Sequence, residues 1–264
     1  MEDASLSTKT LDVLGAFSTE RPRLTLSQIS RTSGLALTTT HRIVRDLVTW
    51  GALERGADDA YQIGLRLWEV SSIAPRGLPL REIALPYMED LYEATHENVQ
   101  LAVRDGLEIV FVERLAGRDA VNVLTRVGGR FAVHATGVGL VLLAFAPVDI
   151  QEQVLSGRLE RWTDRTITDP DELRSTLADI RRSGVAVSTG QVTLDAVSVA
   201  CPVYSRDDEV VAALSLVVHA DGAQPLTLMP ALRAASRGMS RALGAPRAQR
   251  HPDGTVTGYV PEDR

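Results

Sequence analysis

The stretch Leu26–Gly51, LSQISRTSGLALTTTHRIVRDLVTWG, decides how the chain is read. Thr25 or Ser27 offers a side-chain oxygen to cap a helix over about residues 26–32. Ser33-Gly34 ends it, because glycine takes positive φ without a steric penalty. A second helix is predicted from about Thr38 to Trp50, ending at Gly51. At roughly 100° per residue, Ile43, Val44, Leu47 and Trp50 gather on one side of that helix. Thr38, His41, Arg42 and Arg45 gather on the other, and Thr40 points partly inward. A short helix, a tight turn and a second helix with a basic face make a helix-turn-helix, whose second helix fits the major groove. Thr38, Thr39, His41 and Arg42 lie in its N-terminal half, nearest the base edges. Arg45 is a candidate for base or phosphate, since arginine serves both. Ser27 joins this DNA-contacting set.

Working outward, Thr8–Phe17 reads as a helix with apolar positions Leu11, Val13, Leu14 and Phe17. Downstream, Leu53–Arg55 and Tyr61–Ile63 flank the polar turn Gly56–Asp59, a hairpin wing whose Arg55 would meet backbone or minor groove. Charge agrees with a DNA partner. The whole chain carries −6, yet between Arg21 and Arg55 six arginines oppose only Asp46 and Glu54. That local +4 leaves −10 for the rest, a small basic module on an acidic body.

A helix from Leu65 to about Ala74 is predicted to leave the module, followed by a hinge at Pro75–Pro79. Arg81–His96 reads as a helix with a kink or restart at Pro86. Strands follow at 98–104 and 107–115 around an Asp105-Gly106 turn, with a third at 120–127. Helices are predicted over about 136–146 and from Asp169-Pro170 to Ser183-Gly184. Two more strands, 197–204 and 209–218, precede a last helix at about 226–243. The expected organisation is a DNA-binding domain with its linker helix at 1–75, a larger domain at 76–245, and a disordered polar tail at 246–264.

Of the 264 residues, 44% are hydrophobic and 23% charged, as in soluble globular proteins. The N-terminus is acidic and unlike a signal peptide, and the longest apolar stretches, Val138–Ala146 and Val210–Val218, are too short to span a bilayer. A cytoplasmic protein with no membrane partner is expected. The single Cys201 excludes an internal disulfide and a multi-cysteine metal site. Gly137-Val138-Gly139 lacks the third glycine of a dinucleotide fingerprint, and no Walker A loop or G-x-S-x-G elbow is present. The five histidines lack metal spacing. No catalytic residue, cofactor or metal is therefore expected.

Several motifs in order resemble the IclR family of bacterial regulators. They are Leu26–Ser30, Ser33-Gly34-Leu35, Thr39–Val44, His134–Gly139, Arg182–Ala186, Gly190-Gln191, Val199–Tyr204 and Val210–Ser215. The resemblance implies an α+β protein: an N-terminal winged helix-turn-helix joined by a helix to a GAF/PAS-like effector domain with a curved antiparallel sheet and flanking helices. It also implies a homodimer or dimer of dimers, operator DNA as partner, and a small organic effector. Leu140-Val141, Gln191 and Leu194-Asp195 depart from the family pattern near the expected pocket.

That pocket is expected between the Gly128-Gly129 loop, the start of the 136–146 helix and the last two strands. Gly137 and Gly139 would let a ligand approach the backbone, and the helix N-terminus from Thr136 would favour a carboxylate, such as an aromatic acid. Phe131 would form an apolar wall, Ser198, Cys201 and Ser215 would line the site, and Asp195 would sit at its rim. His134 reads as a structural hydrogen-bonder. The expected function is an effector-modulated repressor or activator. The alternatives are a DNA-binding protein whose large domain only oligomerises and, more remotely, a small-molecule enzyme.

Overall fold

A computed structural model of the chain describes residues 5–18, 20–74, 77–118, 120–221 and 224–249. It divides into two compact units, Met1–Leu78 and Pro79–Arg264. Pro75 and Arg76 of the expected hinge, and 250–264 of the expected tail, lie outside the described residues. Among the described residues no helix is long and apolar enough to cross a membrane.

The first unit runs α1 (Leu6–Gly15), β1 (Arg23–Thr25), α2 (Leu26–Ser33), α3 (Leu37–Trp50), β2 (Leu53–Arg55), β3 (Ala60–Ile63) and α4 (Leu65–Ser72). Thr25, rather than Ser27, caps α2. Its Oγ1 accepts from the Gln28 N–H at 3.4 Å, and Gln28 Oε1 accepts from the Thr25 N–H at 2.8 Å. This reciprocal capping box satisfies two otherwise orphaned backbone donors. Gly34 (φ +70°) and Gly51 (φ +90°) end α2 and α3 in the left-handed conformation. The three strands form an antiparallel sheet in the order β1-β3-β2. Val13, Leu24, Ile29, Ile43, Val44, Leu47, Leu53 and Tyr61 form the core.

Four local details differ from expectation in this unit. β1 was not foreseen, since three residues carry no usable alternation. Leu11 is exposed. Trp50 turns out of the core and lies under the Arg66 guanidinium, 4.7 Å from its ring centre. The helix expected to Ala74 stops at Ser72, and α4 has no buried residue.

The second unit runs α5 (Leu78–Thr95), β4 (Asn98–Asp105), β5 (Glu108–Leu115), β6 (Arg130–Ala132), α6 (Gly137–Ala144), α7 (Val148–Ser156), α8 (Pro170–Ser183), β7 (Ala186–Thr189), β8 (Ala196–Tyr204), β9 (Val210–His219), α9 (Pro225–Ala242) and α10 (Pro246–Gln249). The strands make an antiparallel sheet in the order β6-β5-β4-β9-β8-β7. Side chains alternate across it. Ala102, Phe111, Ala200 and Ala213 pack with α6 and α8 on one face. Val99, Leu101, Val199, Cys201, Leu214 and Leu216 pack with α5 and α9 on the other.

The expected third strand over 120–127 does not form, and the strand that pairs with β5 is β6. Side chains hold this segment instead of a ladder. Asn98 Nδ2 donates to the Val121 carbonyl at 2.9 Å, Gln100 Nε2 to Thr125 Oγ1 at 2.7 Å, and Arg114 Nη1 to the Thr125 carbonyl at 3.1 Å. The β4–β5 loop sits one residue later than expected, at Gly106-Leu107, with Gly106 at φ +63° as a type II′ turn requires. α5 continues through Pro86 without a restart, α7 and β7 are additional, and 246–249 form a one-turn helix where a tail was expected.

In the first unit a close backbone approach gives a direct test. A Cβ on Gly64 would lie 2.2 Å from the Gly51 carbonyl oxygen, where the chain returns past the end of α3. Both groups are backbone and cannot swing aside. Gly64→Ala should cost the first unit about 1–3 kcal/mol. Denaturant unfolding checks this, and an unchanged midpoint contradicts it.

Candidate nucleic-acid interface and candidate ligand cavity

The outer face of α3 carries Thr38, His41, Arg42 and Arg45, all exposed, with Thr39 half-buried beside them. Thr40 is buried and its Oγ1 donates to the Ala36 carbonyl at 3.1 Å. Ile43, Val44 and Leu47 anchor the opposite face, so the amphipathic period fixes which residues face out. Ala36 supplies no capping side chain, which leaves first-turn N–H groups of α3 for an anionic partner. His41 and Arg42 have no hydrogen-bond or ion partner among the described residues. Arg45 reaches only the exposed Asp46, at 3.4 Å. Ser27 is exposed in the first turn of α2.

The wing differs. Arg55 is not a free cation: its Nη2 lies 2.8 Å from Asp59 Oδ1, and its guanidinium lies 5.9 Å from the Tyr61 ring. Arg23, which sequence reasoning counted only as charge, belongs to the same tip through a 2.6 Å pair with Asp58.

In the second unit a cavity opens at the N-terminus of α6. Strands β4, β8 and β9 floor it, and segments 123–125 and 188–193 wall it. Its polar lining includes Gln100, Thr125, Thr136, Ser188, Gln191 and Ser198, and its apolar lining includes Phe111, Val123, Val138 and Val217. Among the described residues, no ionisable side chain lines it. Gln191 is buried, and its Oε1 has no hydrogen-bond partner. Its backbone is well held: Thr166 Oγ1 donates to the Gln191 carbonyl at 2.6 Å. A buried orphan acceptor on a fixed loop costs roughly 1–3 kcal/mol and calls for a partner.

Of the residues expected at the pocket, Thr136, Gly137 and Ser198 line this cavity. The others do not, each for a local reason. A Cβ on Gly139 would lie 2.2 Å from the Val133 carbonyl, and one on Gly137 would lie 2.6 Å from Ser198 Oγ. Both glycines therefore let α6 seat closely against its neighbours. The Gly139 N–H is donated to Thr136 Oγ1 at 3.0 Å. Phe131 packs edge-on against Phe111, with centroids 6.2 Å apart, and it is Phe111 that reaches the cavity. Gly128 (φ +76°) and Gly129 form the turn before β6, and the Gly129 carbonyl accepts from the Phe111 N–H at 3.1 Å. Asp195 is exposed on the turn before β8. Ser215 sits opposite Gln100 on the cavity side of the sheet, but is sealed and unpartnered.

Cys201 falls on the opposite face. It stands three residues from Ser198 on β8, and an odd separation reverses the side chain. There it lines a separate cleft with Tyr204 and Arg233. Burial pushes its thiol to about 11, partly offset by Arg233.

Sequence reasoning missed Gln100, Thr125 and Ser188. The available signal was polar residues within otherwise buried strands: Asn98 and Gln100 are both buried on β4. Arg114 braces this wall, donating to Asn98 Oδ1 at 2.8 Å as well as to Thr125.

His134 is buried beside the cavity, and its Nε2–H donates to the Glu160 carbonyl at 3.0 Å. Burial holds its pKa below the ordinary 6.5, opposed by that hydrogen bond. The native state thus refuses a proton that the unfolded state accepts, and stability falls as pH drops below about 6.5. His134→Gln keeps a donor for Glu160 and should lose less stability than the parent between about pH 7 and 5. Melting temperatures across that range check this, and parallel pH profiles contradict it.

Among known proteins, a family model described as "Bacterial transcriptional regulator IclR C-terminal" matches residues 74–241. Another, described as "IclR helix-turn-helix domain", matches residues 8–57. The chain is similar to the HTH-type transcriptional regulator KipR of Bacillus subtilis, 31% identical over 79% of this chain and 83% of that protein. It is also similar to the HTH-type transcriptional regulator XynR of Escherichia coli, 29% identical over 90% and 96%. Among solved structures, an IclR homolog from Microbacterium hydrocarbonoxydans complexed with 4-hydroxybenzoate matches with TM-score 0.86 and 39% identity, covering 90% of this chain and 99% of that one.

Proposed function

The chain belongs to the IclR family of bacterial DNA-binding transcriptional regulators, and on that premise we propose that α3 reads its operator while a small aromatic acid in the α6 cavity tunes the binding. Thr38, Thr39, His41 and Arg42 face the bases, with Arg45 at base or phosphate. Ser27 and the wing serve the backbone. Arg42, exposed and without a partner among the described residues, supports this most directly on the DNA side, because its guanidinium is ready for bidentate donation to guanine. Exposed Leu65, Trp68 and Val70 on α4 and Ile73 just after it, with Leu6 and Leu11 on α1, offer apolar surface for a homodimer. A dimer places two copies of α3 on half-sites about one helical turn or a multiple apart, so a pseudo-palindromic operator is expected. Further pairing gives a dimer of dimers.

The observation that carries the effector reading is Gln191 Oε1, buried at the cavity without a partner. Gln191 lines the cavity, so a hydrogen-bond donor from the ligand would satisfy that oxygen once the amide turns toward it. Phe111, Val123, Val138 and Val217 suit a ring. With no cation in the lining, a carboxylate would rest on hydroxyls and on the free N–H groups at the start of α6. An aromatic acid bearing a hydroxyl meets all three demands, and the complex of the Microbacterium homolog with 4-hydroxybenzoate supports that class. The same lining lacks a general acid, a general base or an activated nucleophile, which favours sensing over catalysis.

Calorimetry with 4-hydroxybenzoate and benzoate tests the assignment. Gln191→Leu should weaken the hydroxylated acid about tenfold, as expected for one lost buried hydrogen bond, and leave benzoate nearly unchanged. Equal losses for both acids contradict the role of Gln191. No binding of any small acid favours a domain that only oligomerises. On the DNA side, Arg42→Ala should cost about 1–3 kcal/mol on a selected operator and relax preference at one base position. Uniform weakening across operator variants makes Arg42 a phosphate contact instead.

A further inference from the structure

The tip of the wing is closed on itself electrostatically. Arg23 Nη2 lies 2.6 Å from Asp58 Oδ1, and Arg55 Nη2 lies 2.8 Å from Asp59 Oδ1. Both pairs are open to solvent, with side-chain exposures of 50% and 59% in the first and 56% and 78% in the second. Exposed ion pairs contribute little to stability. The hairpin is held instead by its buried residues Leu53, Ala60 and Tyr61.

The first pair lies directly over Gly56, where a Cβ would come 2.5 Å from Arg23 Nη2 and 2.9 Å from Asp58 Oδ1 and would displace these side-chain ends. Asp59 sits at φ +60°, a conformation that glycine or asparagine adopts more readily than aspartate. In this conformation the Asp59 carboxylate faces Arg55. The contrast with α3 is sharp, since His41 and Arg42 carry no such partner.

We propose that Asp58 and Asp59 are specificity determinants of DNA binding: they occupy Arg23 and Arg55 so that the wing does not grip phosphates indiscriminately. Non-specific complexes rest almost wholly on phosphate neutralisation and counterion release. An arginine already paired with a carboxylate exchanges one anion for another and releases little. In a matched complex, the base contacts of α3 fix the register and present phosphates to the wing at high effective concentration. The exchange then proceeds where the groove is right and is suppressed elsewhere. The proposal rests on the winged helix contacting DNA with this tip.

Random-sequence duplex is the probe, since it needs no knowledge of the operator. Asp58→Asn with Asp59→Asn keeps side-chain size, and asparagine tolerates the left-handed position. That double variant should bind random duplex at least about tenfold more tightly at low salt, with a log–log salt slope steeper by up to about 2. Adding Arg23→Gln and Arg55→Gln should abolish the gain. Equal affinities and slopes for the parent and the double variant overturn the proposal, while leaving the role of α3 standing. A gain that survives removal of both arginines also overturns it, because the freed arginines then do not carry it. If neither protein binds duplex at any salt, the premise that the tip meets DNA fails as well.

Discussion

Two glycine contacts seat the start of α6, one against the sheet and one against the turn before the helix, and the second unit is organised around that seating. Gly137 lies over Ser198 and Gly139 over the Val133 carbonyl, each with no room for a side-chain carbon. All eight residues of α6 are buried, so the helix has no solvent face on which to relax. A helix sunk this far must satisfy its N-terminal donors locally. Thr136 accepts one N–H, from Gly139. The start of the helix opens on the cavity. Close packing and a polar opening therefore arise at the same place, the first turn of one helix.

The sheet then sorts the rest by parity. Even and odd positions of β4, β8 and β9 diverge onto an α6 side and an α9 side. Gln100, Ser188 and Ser198 fall on the first and line the cavity. Asn98, Gln100 and Arg114 tie segment 121–125 to the sheet by side chains, so one wall of the cavity is a loop held by three polar residues. The first unit shows the complementary design. Its core is small and apolar, and α3 presents an exposed polar and basic face.

The helix-turn-helix was legible because its signals are short-range: a helical period over 38–50, glycines at 34 and 51, and a capping threonine. The inward Thr40 and the outward Arg42 followed from the same period. Segment 120–127 was misread because Val121, Val123 and Val127 alternate like a strand, while the bonds that hold it come from residues distant in sequence. The cavity was half legible. Thr136 and Gly137 announce a helix start, but Gln100 and Thr125 join it only once the β4–β9 register is known. The misplacement of Cys201 was avoidable, since its odd spacing from Ser198 is written in the chain. Gln191 had been noticed as a departure from the family pattern. That its oxygen is buried and unpaired is a fact of packing, which no motif carries.

The central claim is that one ligand in the α6 cavity and one DNA site on α3 bias the same molecule. Thermodynamic linkage makes that claim reciprocal: the factor by which ligand changes DNA affinity equals the factor by which DNA changes ligand affinity. The most direct measurement is the affinity for 4-hydroxybenzoate of the free protein and of its complex with a selected operator, set beside DNA affinity with and without the acid. The account predicts one common factor, about five- to 150-fold for a typical allosteric coupling. Identical ligand affinities for the free and DNA-bound protein would contradict it.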